Sequence, residues 1–233
     1  MKKNNYFSFD YTIPSEVVID AYKNGMFPMA ETAYSKEIFW LEPKRRGIIF
    51  FDRIKIPKKT RKFIRSCPFE IAIDNDFESV IESCSKLTVE RKDTWINETI
   101  KNIYIKLFNE GYAHSVECYL NKKLVGGLYG VVIGSVFFGE SMFSSVSNAS
   151  KCALIHLIER LIIGKFDFID TQFLNNHLKQ FGAIEVPSSK FKSLLNNSIN
   201  KTANFEKFSE KGFIGKEIYP LINKIIINQI YYN

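Results

Sequence analysis

The chain has few of the residues that bind metals or cross-link a fold. Its four cysteines, Cys67, Cys84, Cys118 and Cys152, are widely spaced and form no CxxC pair, and its three histidines, His114, His156 and His177, do not fall at metal-ligand spacings. No metal site is expected, and the thiols read as reduced and buried or half-buried. No apolar run approaches the roughly 20 residues that a membrane-spanning helix needs, so no membrane association is expected. Met1–Pro14 carries two lysines with no apolar stretch behind them, which does not fit a secretory signal; the expected location is the cytoplasm. Internal repeats and Gly/Ser linkers are absent as well. Apolar residues make up 45% of the 233 positions and aromatics 15%, ample for a packed core and unlike a disordered chain. The length allows one large domain or a small domain attached to a larger one.

The net charge of +7 is unevenly spread. The window Arg53–Arg65, RIKIPKKTRKFIR, holds seven basic residues and no acid, and without it the chain has 25 basic and 25 acidic residues. If the stretch after Pro57 is helical, Lys58, Arg61, Lys62 and Arg65 share a face. Such a face suits a polyanion and would bind phosphates in a salt-sensitive way. Charge alone leaves an ordinary solvated surface helix equally open.

The pattern along the chain predicts an α+β fold. A first helix fits Ser15–Asn24, with Ser15 as N-cap and Gly25 as a left-handed stop. FPMAETAYSKEIFWLEPKRR has no clear period and reads as extended loops, with a soft boundary near Pro43–Gly47. Phe69–Asp74 alternates as a strand, Asp76–Leu87 has helical spacing, and Asn97–Glu110 is an amphipathic helix capped by Asn97 and ended by Gly111. Ala113–Leu120, Leu124–Ile133 and Ser135–Glu140 then read as three antiparallel strands joined by short turns. Asn148 is placed as cap of an apolar helix to about Ile163, followed by a short buried strand, Phe166–Thr171, and a helix reaching Gln180. Strands, helix, strand in that order resemble the acyltransferase fold of the N-acetyltransferase superfamily. The expected division is a small N-terminal domain, residues 1–45, and a catalytic domain of that type, residues 46–233.

Three polar clusters interrupt the apolar segments. GESMFS, Gly139–Ser144, ends a hydrophobic strand with Glu140, which either points to water or needs partners. DTQFLNN, Asp170–Asn176, follows another buried stretch. Alternation along a strand puts Asp170 and Gln172 on one side, where a carboxylate could orient a carboxamide whose oxygen accepts a hydrogen bond from an attacking amine. Equally, Asp170 could be a helix cap at the strand end. NASK, Asn148–Lys151, opens the apolar helix, which could be plain core or could wall a pocket for an apolar side chain.

Taken together and in order, HSVECYLNKKLVGGLYGVVIGSVFFGESMFS, NASK, ALIHL and FIDTQFLNNHLKQFGA resemble the catalytic domain of the leucyl/phenylalanyl-tRNA–protein transferase family. AYKNGMFPM and FWLEPKRR resemble that family's RGIFPW and WWSPDPR stretches, so the resemblance runs from about Ile19 to Pro187. It implies an aminoacyltransferase that moves Leu, Phe or Met from aminoacyl-tRNA onto proteins beginning with Arg or Lys, marking them for N-end-rule degradation. The ester itself supplies the activation, so neither metal nor cofactor is implied, and a monomer is expected. Carried over by position, Asp170 orients Gln172, the Gln172 carbonyl helps take the proton of the attacking amine, and Glu140 and Asn175 support polar atoms of the substrate. Leu128, Met142, Leu154, Leu157, Leu161 and Ile169 resemble the pocket for the donor side chain. Trp95 matches an aromatic beside the terminal adenosine, and Lys58, Arg61, Lys62 and Arg65 match the tRNA-backbone patch.

The chain departs from its family at Met29, where the FPW tryptophan is replaced, and at Leu157 and Leu161, which replace aromatics and imply a wider, softer pocket. Two other functions fit parts of the sequence. An acyl-coenzyme A N-acetyltransferase would use the same fold, but the turn SSVSNASK lacks the glycines that cradle a pyrophosphate. A catalytically idle tRNA-binding module would need only the basic face, and intact Glu140, Asp170 and Gln172 speak against it.

Overall fold

The computed structural model describes residues 13–88, 92–207 and the backbone of 212–215. The reading of Met1–Pro14 as no leader falls almost entirely outside the described residues. In chain order the elements are α1 (Ser15–Lys23), β1 (Phe27–Met29), β2 (Phe39–Leu41), β3 (Arg45–Phe50), α2 (Lys58–Ile64), β4 (Glu70–Ile73), α3 (Phe77–Ser85), α4 (Glu98–Asn109), β5 (Ala113–Leu120), β6 (Lys123–Ile133), β7 (Val136–Ser144), α5 (Ala149–Ile163), β8 (Phe168–Gln172), α6 (Asn176–Lys179), β9 (Ile184–Pro187), α7 (Ser188–Ser198) and β10 (Gly212–Gly215). This is a mixed α+β fold.

Eight strands form one sheet in the order β10-β4-β5-β6-β7-β8-β3-β9, while β1 and β2 pair separately. Every neighbouring pair in the large sheet is antiparallel except β7 and β8, which run parallel. The parallel step follows from the connection: an antiparallel neighbour can be reached by a tight turn, whereas a parallel one requires a crossover, here supplied by α5. Helix α5 is buried at eleven positions, mostly apolar but including His156, Glu159 and Arg160, as expected of a helix sunk in a core. It covers one face of the sheet, and α1, α3 and α4 cover the other. Both faces being covered explains why β5 is buried at seven of eight positions instead of alternating.

Several local expectations change. Pro14, not Ser15, occupies the N-cap position of α1, and its carbonyl takes the first helical bonds. Proline's fixed φ suits a helix entry, and Ser15 is buried inside the first turn with its hydroxyl unpaired among the described residues. Asn148 sits in the left-handed region at φ 70 and its side chain does not cap α5; it accepts from Lys151 Nζ at 3.2 Å. The segment Phe27–Arg46 is not loop throughout: β1 and β2 form a ribbon, and β3 runs through the Pro43–Gly47 stretch to pair with β8 and β9. Pairing with distant strands creates these elements, so no local period announces them. Asp76 and Asn97 cap α3 and α4 by accepting from Ser79 and Ile100 backbone nitrogens.

Close approach of α5 to the sheet depends on Gly126 in β6. A Cβ there would lie 2.4 Å from the Ala149 Cβ and 3.1 Å from its backbone carbon, so the first turn of the helix would have to move. Gly126→Val should destabilise the fold by about 1–3 kcal/mol, the usual cost of overpacking, at about 2–4 °C of thermal midpoint per kcal/mol. An unchanged midpoint in thermal denaturation would show that α5 is not seated against β6 here.

Candidate active site

Strands β7 and β8 are paired only over Val136–Phe138 and Phe168–Asp170. Beyond that point they separate, and the gap receives Glu140 from β7 and Gln172 from the last residue of β8. The Gln172 Nε2 donates to Glu140 Oε1 at 3.0 Å. Two tyrosines fix the other lone pairs: Tyr22 donates to Glu140 Oε1 and Tyr104 to Oε2, each at 2.6 Å, with their hydroxyls 2.8 Å apart. Tyr22 comes from the last turn of α1 and Tyr104 from an inward position of α4, so two helices from one side of the sheet converge on a carboxylate at its centre.

Asp170 is fully buried and plays a different part. Its Oδ1 accepts from Arg46 Nε at 2.9 Å and its Oδ2 from Arg46 Nη2 at 2.6 Å. Arg46 is itself 1% exposed, lies between the rings of Phe27 and Phe191, and donates from Nη1 to the Gly25 carbonyl at 2.9 Å. Asp170 Oδ1 also accepts from the Gln172 backbone nitrogen at 2.9 Å. That bond bends the chain at Gln172 into the left-handed region, φ 51, an uncommon conformation for a non-glycine residue. The expected carboxylate-to-carboxamide contact is thus replaced by two: Asp170 sets the backbone of Gln172, and Glu140 sets its side chain. Alternation does not carry through to Gln172 because the strand ends in that bend.

Beside the pair lies a cavity of about 230 Å³. Leu128, Met142, Leu154, Leu157 and Ile169 line it together with Glu140, Gln172 and Asn175. Leu161 does not; it is fully buried one turn along α5, within the core. Asn175 caps α6 by accepting from the Leu178 nitrogen at 2.8 Å. Trp95 is half-buried outside this cavity, where its carbonyl accepts from Ala30 at 3.2 Å, next to Met29. On α2, Thr60 and Ile64 turn inward while Lys58, Lys62 and Arg65 are exposed and Arg61 is half-buried. Arg53, Lys55, Lys58 and Arg61 line a shallow groove that reaches Gln180. Sequence reasoning missed Tyr22, Tyr104 and Arg46. Tyr104 reads as a core position of an amphipathic helix, and Arg46 as one cation in a charged run, so neither carried a local signal. Among the described residues no group of His, Cys, Asp and Glu is arranged to hold a metal, and no helix is long and apolar enough to cross a membrane.

Burial is the largest influence on Glu140 and, with the Asp170 charge, pushes its carboxyl up from 4.5 to about 7 against the hydrogen bonds from Tyr104 and Tyr22 and the charge of Arg46. The folded carboxyl therefore holds its proton more tightly than the unfolded one. Its contribution to stability is full below the unfolded value and is lost as pH rises through about 7. In denaturant titrations from pH 5 to 8, the wild-type protein should lose stability relative to Glu140→Gln as pH rises. Parallel curves would show that the site does not perturb Glu140.

The sequence profile of the family described as leucyl/phenylalanyl-tRNA protein transferase matches residues 48–196. A curated relative of that name from Rhodopseudomonas palustris (strain BisB18) is 44% identical over 212 residues, covering 91% of this chain and 92% of the relative. Another, from Zymomonas mobilis subsp. mobilis (strain ATCC 31821 / ZM4 / CP4), is 46% identical over 188 residues, covering 81% and 70%. Among solved structures, that of L-PGS from Bacillus licheniformis aligns over 92% of this chain and 70% of its own at 11% identity and a TM-score of 0.38, too distant to establish fold or function. On the profile match and the two relatives, the chain belongs to the leucyl/phenylalanyl-tRNA–protein transferase family.

Proposed function

We propose that the chain transfers Leu, Phe or Met from aminoacyl-tRNA to the N-terminal Arg or Lys of acceptor proteins, which marks them for N-end-rule degradation. The observation that carries this reading is the Gln172 carboxamide, held by Glu140 at the edge of an apolar cavity. The donor's side chain enters among Leu128, Met142, Leu154, Leu157 and Ile169, while its ester carbonyl lies toward Gln172. The amide oxygen of Gln172 takes no hydrogen bond among the described residues, and it accepts one from the attacking amine. Glu140, accepting from the NH₂ of the same amide, makes that oxygen a better acceptor. As the new C–N bond forms, the ester C–O bond breaks and the departing ribose oxygen takes up the proton released by the amine. Asn175 supports substrate polar atoms from the α6 side, and Trp95, whose carbonyl accepts from Ala30, lies beside the terminal adenosine.

The activated ester needs no metal or cofactor. An acetyltransferase-like fold is part of the same proposal, supported by the antiparallel β5–β7 run, the crossover through α5 and the parting of β7 from β8. So is the division at residue 45, where the β1–β2 ribbon pairs apart from the large sheet while α1 packs against it. A cytoplasmic monomer fits an enzyme working on tRNA and free protein ends.

Gln172→Ala should lower Leu transfer from Leu-tRNA to a Lys-initiated peptide by roughly 10²-fold, the scale of positioned proton transfer, with tRNA binding near normal. Transfer at the wild-type rate would remove Gln172 from the chemistry. Replacing Lys58, Arg61, Lys62 and Arg65 by Ala should weaken tRNA binding and flatten its salt slope by about 0.7–0.9 for each phosphate no longer neutralised. A leucyl-adenosine donor should be used almost as well as before; an equal deficit with both donors would assign the segment a structural role.

A further inference from the structure

None of the four cysteines is in a disulfide, yet two of them touch. Cys67 Sγ and Cys152 Sγ lie 3.4 Å apart, although 85 residues separate them in sequence. Cys67 follows α2, its nitrogen donating to the Ile64 carbonyl at 3.2 Å, and Cys152 stands in the first turn of α5, donating to the Asn148 carbonyl at 3.0 Å. Both backbones are thus fixed by hydrogen bonds at helix ends. The other two thiols are placed differently: Cys118 Sγ donates to the Ala149 carbonyl at 3.2 Å, and Cys84 is buried in the core on the opposite face of the sheet. A disulfide holds its sulfurs at about 2.0 Å, so closing the contact takes about 1.4 Å of movement, within reach of side-chain rotation.

Cys67 is half-buried and Cys152 is 0% exposed. The hydrogen bond with Cys67 first, and burial second, hold the Cys152 thiol well above its ordinary pKa. Cys67 directly follows the basic segment Arg53–Arg65, and positive charge favours a thiolate. Cys67 is therefore the sulfur that an oxidant meets, and Cys152 the one that resolves the adduct. We propose that Cys67 and Cys152 form a reversible dithiol–disulfide couple, oxidised by low-molecular-weight disulfides, whose bond anchors the C-terminal end of α2 to the first turn of α5. In the first step the Cys67 thiolate, its proton lost to solvent, attacks one sulfur of the small disulfide. The S–S bond breaks, leaving a mixed disulfide and one thiolate. Cys152 then gives up its proton, attacks Cys67 Sγ and expels the other half as a second thiolate. The two leaving thiolates take up the two protons, so two protein thiols are oxidised while one small disulfide is reduced to two thiols. The bond matters to α2 because this helix of seven residues buries only Thr60 and Ile64. Oxidation adds a covalent tie between the helix that carries the basic face and the helix that walls the cavity. The inference stands on the two sulfurs and is independent of the proposed donor.

The test is the full chain incubated with oxidised glutathione under native conditions, then unfolded without reductant. Titratable thiols should fall from four to two, and dithiothreitol should restore all four. Tandem mass spectrometry of a digest cut at Asp74 as well as at Lys and Arg, which separates Cys67 from Cys84, should find the Cys67 and Cys152 peptides joined. Amide hydrogen exchange across Lys58–Ile64 should slow in the oxidised protein. These readouts use the wild type and hold whether or not a variant folds. In Cys152→Ser the reaction should stop at glutathione attached to Cys67, and in Cys67→Ser the Cys152 thiol should stay reduced. Retention of four thiols, a lasting glutathione adduct on wild-type Cys67, or a bond from Cys67 to Cys118 or Cys84 would overturn the couple. Unchanged exchange in α2 after oxidation would overturn the anchoring.

Discussion

The buried pair of Arg46 and Asp170 is the interaction on which the site depends. Two opposite charges, 1% and 0% exposed, are tolerable in a protein interior only when they are paired in good geometry and further hydrogen-bonded. Here the guanidinium meets both carboxylate oxygens and the Gly25 carbonyl, and its faces are covered by Phe27 and Phe191. Removing either member would strand the other, at a cost of about 3–5 kcal/mol. The pair ties together the turn after α1, strand β3 and the end of β8, three segments distant in sequence. The Asp170 oxygen that accepts from Arg46 Nε also holds the Gln172 backbone in its bend.

That bend decides where Gln172 points. With the backbone set by Asp170, the carboxamide reaches across the gap between β7 and β8 to Glu140 instead of lying along its own strand. Glu140 is held in turn by Tyr22 and Tyr104, so the amide is oriented by a carboxylate that already has two other donors. Polar networks of this kind rigidify a site when every member is satisfied. The apolar cavity on the α5 side and the tyrosines on the α1 and α4 side meet at this one amide, which gives the gap both an apolar and a polar wall.

Much of this was legible in the sequence. Strands β5 to β7, helices α3 to α5 and β8 were recoverable because their periods, caps and glycine stops are local properties. Asn97 before an amphipathic run and Gly111 after it bound α4 with no need for tertiary information. The polar interruptions at Glu140 and at Asp170–Gln172 were visible because polar residues directly after fully apolar strands need a reason to be there. Most pocket positions on α5 and on the neighbouring strands were also placed. Leu161 was not, since a helical face drawn at i and i+4 ignores how far down the helix the cavity extends. Ser15 and Asn148 were misassigned as caps because composition identifies residues able to cap, while backbone geometry decides which one does.

By itself the sequence determined the α+β class, the apolar helix that walls the cavity, the concentration of positive charge in the α2 segment and the polar residues Glu140, Asp170 and Gln172 that meet at the gap. Only the tertiary structure decided how those residues are wired. That β3 lies beside β8, that Arg46 is an interior cation and not a surface one, and that two tyrosines from different helices clamp Glu140 all follow from contacts between segments dozens of residues apart. Periodicity and propensity describe the path of the chain over a few residues. The partner of a buried charge is chosen by whatever the completed sheet and its covering helices bring within hydrogen-bonding distance, and no local pattern encodes that choice.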